Sequence, residues 1–400
     1  MKVFTFLHLL TISQSVPNRT EEAFLEEIMH DLLDDPFSTG IFATNILRMA
    51  FHACFGIGCH GCLNKNDRNN NGLPENLERL YTNWQSNKTA VGDISFADFL
   101  NAAAVVSTRI LVGEDTVIAG KSIEKYTRFN YGRSDCPTAP FTDEDQNLPN
   151  GDKSWGHVYQ KFHTDQFGFT EKEIVALIGG GHSVGGLQPK NSGYDQSGWD
   201  RTGGEIDQDY FKILTDLKPW TQEVSECELC QGRPQWRVDN PERPDRRNLM
   251  MNTDMSMKYN MDNNNGTGFA SGECKQDVSK CGKNDEIGTD WVDYFAQDEN
   301  RDEFLITFLQ TYEKMRGDGY KDGELVFIDD SLTTAGTTTT STTTTTTTTT
   351  TTPTTTTDDD TTAPTTDDDD DTTTPTNTTT TSSSIVIKIT TLVLAIFLTF

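Results

Sequence analysis

Apolar residues recur at helical spacing in six stretches of the chain, and polar, turn-rich segments separate them. The stretches are Glu21–Leu33, Thr44–Phe55, Ile94–Thr108, Lys172–Leu177, Gln208–Leu217 and Phe304–Met315. Spacings of three and four residues put those side chains on one face of a helix, and that face has to be buried. Thr170 followed by Glu173 has the reciprocal capping pattern that opens a helix immediately before Lys172. No alternation of apolar and polar positions runs long enough for a major sheet. The pattern predicts a mostly α domain with minor β.

The two ends read differently. Residues 1–15 carry Lys2, a largely apolar run from Val3 to Leu10 and then Ser13-Gln14-Ser15, the order of a secretory signal peptide. Residues 332–384 are almost all Thr, with Pro353, Pro364, Pro375 and two aspartate runs. With so little to bury, such a segment cannot offset its chain entropy, and it reads as a mucin-like stalk. Residues 385–400 are apolar apart from Lys388 and a few Thr, and they follow Ser382-Ser383-Ser384. That order is similar to a GPI-attachment signal, with a retained hydrophobic anchor as the alternative. Residues 16–331 are then the globular domain, carried on the extracellular face of the plasma membrane.

The net charge is −28, and −20 without the eight stalk aspartates. An acidic domain argues against nucleic acid as a partner and favours cationic or neutral small partners over anionic ones. Nothing in the composition calls for an oligomer, and a monomer is expected. The eight cysteines lie at 54, 59, 62, 136, 227, 230, 274 and 281. An even count in a secreted chain points to disulfides. Cys227 and Cys230 also have zinc-type spacing, but no second pair of that kind accompanies them, so a disulfide is favoured over a metal. Sequons at Asn18, Asn87, Asn265 and Asn377 fit a glycoprotein.

Two histidines carry the candidate chemistry. Arg48 and His52 are four apart and project from one helical face. A neutral histidine there can take a proton from hydrogen peroxide and return it to the far oxygen, while the arginine stabilises the charge that develops. An amide at Asn70 can fix the tautomer of His52. The second histidine, His182, follows Gly179-Gly180-Gly181, small residues that let the backbone approach a flat macrocycle. A haem iron needs one such nitrogen, and the ring's other N–H needs an acceptor, for which Asp254 is the candidate.

These residues together resemble the plant-type haem peroxidase superfamily. The distal signature is Arg48-Met49-Ala50-Phe51-His52, and the proximal one is the small-residue run ending in His182-Ser183. Between and after them come Ile94-Ser95-Phe96-Ala97-Asp98, Tyr131-Gly132-Arg133, Leu148-Pro149-Asn150, Ser197-Gly198-Trp199 and Thr253-Asp254-Met255. The second half is most similar to the cytochrome c and ascorbate peroxidase branch. The first half, with Phe51 beside the distal histidine, is more similar to the secreted enzymes.

The resemblance implies a two-lobed helical fold with haem b between distal and proximal halves. Phe51, His182 and Ser183 would contact the cofactor. Trp199 would stack on His182, either as an electron relay or as simple packing. Cys54 and Cys59 match a family disulfide. Ser183, Asp200, Thr202 and Asp207 follow the spacing of a proximal calcium site, whereas Ala53 and His60 replace distal calcium ligands. The implied activity is reduction of hydrogen peroxide at the expense of a one-electron donor, a small molecule or a protein. The alternative is an adhesion ectodomain that keeps the fold without turnover.

Overall fold

The computed structural model describes residues 17–327, apart from 34–40, 57, 229, 231, 243–246, 262–267 and 285–289. The expected leader, stalk and C-terminal signal, and the sequons at Asn265 and Asn377, lie outside the described residues. The described chain is mostly helical. In order, its helices are α1 (Arg19–Leu33), α2 (Ile41–Ala53), α3 (Pro74–Asn87), α4 (Phe96–Val112), α5 (Trp155–Tyr159) and α6 (Glu171–His182). After these come α7 (Pro189–Ser192), α8 (Asp209–Asp216), α9 (Asn252–Ser256), α10 (Gly272–Gln276), α11 (Trp291–Phe295) and α12 (Arg301–Arg316).

All six stretches of helical periodicity are helices, and Thr170 and Glu173 form the expected capping box at the start of α6. The periodicity left α3 unassigned. Its buried residues are only Leu77, Leu80 and Trp84, and an asparagine-rich turn precedes it. Sheet structure is minor, as expected. Its largest piece is a three-stranded antiparallel sheet of Thr221–Val224, Pro234–Asp239 and Arg247–Met250. Trp236, on the middle strand, is fully buried there.

One continuous core holds the helices together. α4 is its axis: almost every residue from Phe96 to Leu111 is buried, because α1, α2 and α3 all pack against it. α6 packs on α12 and contacts α8 and α11. Two quoted motifs meet in a buried ion pair, with Arg133 Nη1 donating to Asp98 Oδ1 at 3.1 Å. Arg133 also donates to the carbonyl of Arg316, which ties α4 to the end of α12. A pair so deeply desolvated is costly to break from one side only.

All eight cysteines are paired, as Cys54–Cys59, Cys62–Cys136, Cys227–Cys230 and Cys274–Cys281. The implied 54–59 link is present, and the CxxC pair is a disulfide rather than a metal site. Among the described residues no helix is long and apolar enough to cross a membrane.

Candidate active site

α2 and α6 supply opposite walls of a cleft of about 1370 Å³. Arg48, Phe51 and His52 come from α2, and Ile178, Gly181 and His182 from α6; Trp199 lines it as well. The volume exceeds the ~300–1,000 Å³ of ordinary small-ligand pockets, which leaves room for a macrocycle and a small substrate together.

His52 is buried, and its orientation is fixed by a relay that begins at the backbone. Gln146 Nε2 donates to the carbonyls of His52 (2.7 Å) and Cys62 (3.2 Å), which sets the direction of its amide. Gln146 Oε1 then accepts from Asn70 Nδ2 at 2.8 Å, and the Asn64 carbonyl accepts from the same nitrogen at 2.9 Å. Asn70 Oδ1 is therefore left as an acceptor, 2.7 Å from His52 Nδ1. The network assigns the proton to Nδ1 and leaves Nε2 as a base. Burial first, and then the Arg48 cation, push the His52 pKa down to about 3, against a smaller upward pull from Asn70. His52 is thus neutral at physiological pH.

Arg48 is lowered by burial only to about 10 and stays charged. Its guanidinium donates to the carbonyl of Asn69 at 2.5 Å, on the same turn that carries Asn70. Phe51 packs edge-on against Phe55, with ring centroids 5.1 Å apart, and closes the floor of this wall.

The opposite wall is built differently. His182 ends α6, and its Nδ1 donates to Asp254 Oδ1 at 2.7 Å. The Tyr210 hydroxyl donates to the same oxygen, also at 2.7 Å. Asp254 Oδ2 accepts the backbone N–H of Met251 at 2.7 Å. Asp254 therefore caps α9 with one oxygen and holds His182 with the other. The carboxylate leaves His182 Nε2 unprotonated and free for a metal bond. Burial and the Asp254 charge drive the Tyr210 pKa well upward, so its proton stays in place. The Trp199 ring lies flat on His182, with centroids 4.2 Å apart and planes 5° apart.

The three glycines before His182 have separate reasons. A Cβ on Gly179 would sit 2.1 Å from Phe211, and one on Gly180 2.3 Å from Phe308. Those two admit the aromatic rings of α8 and α12. Gly181 alone lines the cleft, and a Cβ there would meet nothing within 4 Å. The close-approach expectation therefore belongs to Gly181, whereas Gly179 and Gly180 serve packing.

Ser183 is buried and donates to the Gly180 carbonyl at 2.9 Å; it is not part of the cleft wall. Asp200, Thr202 and Asp207 do converge. The Thr202 hydroxyl is 3.3 Å from Asp200 Oδ1 and 3.3 Å from Asp207 Oδ2. Asp200 Oδ2 is buried and has no hydrogen-bond partner. Burial, with Asp207 and Asp209 nearby, pushes the Asp200 pKa up to about 7. At the distal position, His60 bonds Ser134 and Tyr320 and adds no carboxylate.

Gln146 was missed by sequence reasoning, and Tyr210 was matched only as part of the family-like run Tyr210-Phe211-Lys212-Ile213-Leu214, with no role at the site. Tyr210 lies inside a predicted helix and could have been singled out as a polar group on its buried face. Gln146 sits in an irregular loop, where no periodicity marks it.

Comparison with known proteins agrees with this geometry. The family profile described as "Peroxidase" matches residues 24–265, more than half of the chain. L-ascorbate peroxidase 3 of Arabidopsis thaliana is 27% identical over 157 residues, which is 39% of this chain and 48% of that protein. A Candida albicans protein named as a heme-binding peroxidase is 27% identical over 249 residues, 59% of this chain and 76% of its own length. This chain belongs to the peroxidase family, within the plant-type haem peroxidase superfamily.

Proposed function

We propose that the protein is an extracellular haem b peroxidase that reduces hydrogen peroxide with electrons from a one-electron donor. The observation that carries this reading is the pair of histidines on facing walls, one kept neutral by burial and oriented by an amide, the other anchored to a carboxylate. The residues fit the cofactor: His182 offers a free ring nitrogen, Gly181 leaves its side of the cleft open, and Phe51 and Trp199 add apolar lining. Haem bound there supplies the redox equivalents that a protein side chain lacks.

The chain's own groups do the proton work. His52 Nε2 takes the proton from the peroxide oxygen that attacks and delivers it to the oxygen that leaves as water. Arg48 stabilises the negative charge on the departing oxygen. Asn70 and Gln146 keep His52 in the required tautomer. Asp254 and Tyr210 hold His182 in place and set its basicity. Trp199, in ring contact with His182, offers a path for the donor's electron.

Asp200, Thr202 and Asp207 fit a Ca²⁺ ion of the proximal half, with Ser183 as the further ligand that the resemblance implies. The orphaned Asp200 oxygen supports this, because a hard cation would satisfy it. The four disulfides fit secretion, and the end segments fit a stalked, GPI-anchored monomer. The test is to add haem to the purified protein and then one equivalent of hydrogen peroxide. A ferric haem spectrum that changes within the mixing time, followed by oxidation of added guaiacol, supports the reading. Uptake of haem with no response to peroxide would instead favour a non-catalytic ectodomain.

A further inference from the structure

Three of the four disulfides reach into the core, and the fourth does not. Cys54, Cys59, Cys62, Cys136 and Cys274 are buried, whereas Cys227 and Cys230 are both only half-buried. This last pair lies in the connection between the strands Thr221–Val224 and Pro234–Asp239. Its members are three residues apart, against 5, 7 and 74 in the other pairs. A link across so short a loop constrains the unfolded chain least, so it has the least stability to contribute.

The connection is closed by other bonds as well. The Ser225 N–H donates to the Arg233 carbonyl at 3.0 Å, and the Arg233 N–H donates to the Ser225 hydroxyl at 2.9 Å. Asp195 grips the cysteine turn from the side. Its Oδ1 accepts the N–H of Glu226 at 3.2 Å and of Cys227 at 3.3 Å. Its Oδ2 accepts from Gln235 Nε2 and, at 2.9 Å, from Arg237 Nη2. The carboxylate is thereby fixed against the sulfurs, with Oδ1 3.4 Å from Cys230 Sγ. A disulfide sulfur has no proton to share, so this contact becomes a hydrogen bond only when Cys230 is a thiol. The fold already holds an acceptor for the reduced pair.

We propose that Cys227 and Cys230 form a thiol–disulfide exchange site, in which Cys227 is attacked by a small thiol and Cys230 is the resolving partner held by Asp195. A thiolate RS⁻ attacks Cys227 Sγ; the R–S–Cys227 bond forms and the bond to Cys230 breaks. Cys230 leaves with the electron pair, takes a proton from water and donates it to Asp195 Oδ1. A second RS⁻ attacks the sulfur of R, releasing RSSR and the Cys227 thiolate, which takes the second proton. The balance is one protein disulfide and 2 RSH giving two protein thiols and RSSR. In reverse, Asp195 takes the Cys230 proton as that sulfur attacks the mixed disulfide. Glu226 and Glu228 are exposed on either side of Cys227, so the favoured thiol is neutral or cationic. Asp195, Cys227 and Cys230 do not line the cleft, and the exchange stands apart from the peroxidase reading.

The experiment exposes the native full chain to cysteamine, caps free thiols with iodoacetamide at intervals and maps them by mass spectrometry. Cys227 and Cys230 should be capped about tenfold faster than any other cysteine, with the near-ultraviolet circular dichroism of the fold retained, and cystamine should restore their link. Cys230→Ser and Cys227→Ser each leave one thiol. Cystamine should add to Cys227 about tenfold faster than to Cys230, because the carboxylate beside Cys230 disfavours its thiolate. Reduction of this pair no faster than of the buried ones, or only together with loss of the native dichroism, would make it an ordinary structural link and overturn the proposal. Equal rates of addition to the two single-thiol variants would overturn it too.

Discussion

The two walls of the cleft use the same side chain for opposite ends. His52 is buried beside a cation, and together these outweigh the smaller upward pull of its amide partner, so the ring stays neutral. His182 is bonded to a carboxylate, which polarises the ring and fixes it as a ligand. The imidazole is identical, and the partner of Nδ1 decides what Nε2 is for. The partners are also held differently. Asn70 is set by a chain of amides that ends on backbone carbonyls, whereas Asp254 is set by a helix cap and a tyrosine.

Exchanging those partners is the way to break the comparison. The largest effect is expected on the proximal side. Asp254→Asn removes the charge while keeping the shape, and haem retention or turnover should fall about 10–100-fold, the usual cost of losing such a partner. Equilibrium dialysis of haem and steady-state assays would show it.

On the distal side, Asn70→Asp gives His52 the partner that His182 has. A carboxylate favours the imidazolium, so the His52 pKa should rise from about 3 toward or beyond its ordinary ~6.5. The base is active when neutral, so activity is lost as pH falls through the raised value. The wild-type reaction with peroxide should hold its rate well below pH 5. In the variant it should fall about tenfold at one pH unit below the new pKa. A pH–rate profile with no shift would mean that Asn70 does not control His52.

The smallest effect concerns packing alone. Gly179→Ala should cost about 1–3 kcal/mol of stability, because the new methyl meets Phe211. Gly181→Ala should cost the haem-free fold little, and thermal unfolding of the two variants makes the contrast. Equal losses would mean that the glycines share one role.

The helices were legible because each buries a broad apolar face, and their periodicity survives in the letters. α3 was not, since three buried positions in a polar segment leave too faint a pattern. The histidines, Arg48 and Asp254 were legible through the resemblance; the structure brings the first three to one cleft and buries Asp254 behind His182. Gln146 was invisible, because its role depends on a loop meeting α2 across more than ninety residues.

The central claim is that the two histidines divide the work, and one paired measurement tests it directly. His52→Ala and His182→Ala are each loaded with haem and mixed with one equivalent of hydrogen peroxide while the absorption spectrum is followed. His52→Ala should bind haem as the wild type does and respond about 10²–10⁴-fold more slowly, the range expected for loss of a proton-transfer group. His182→Ala should lose the wild-type ferric spectrum before any peroxide is added. A His52→Ala protein that reacts at the wild-type rate, or a His182→Ala protein with an unaltered spectrum, would contradict the account.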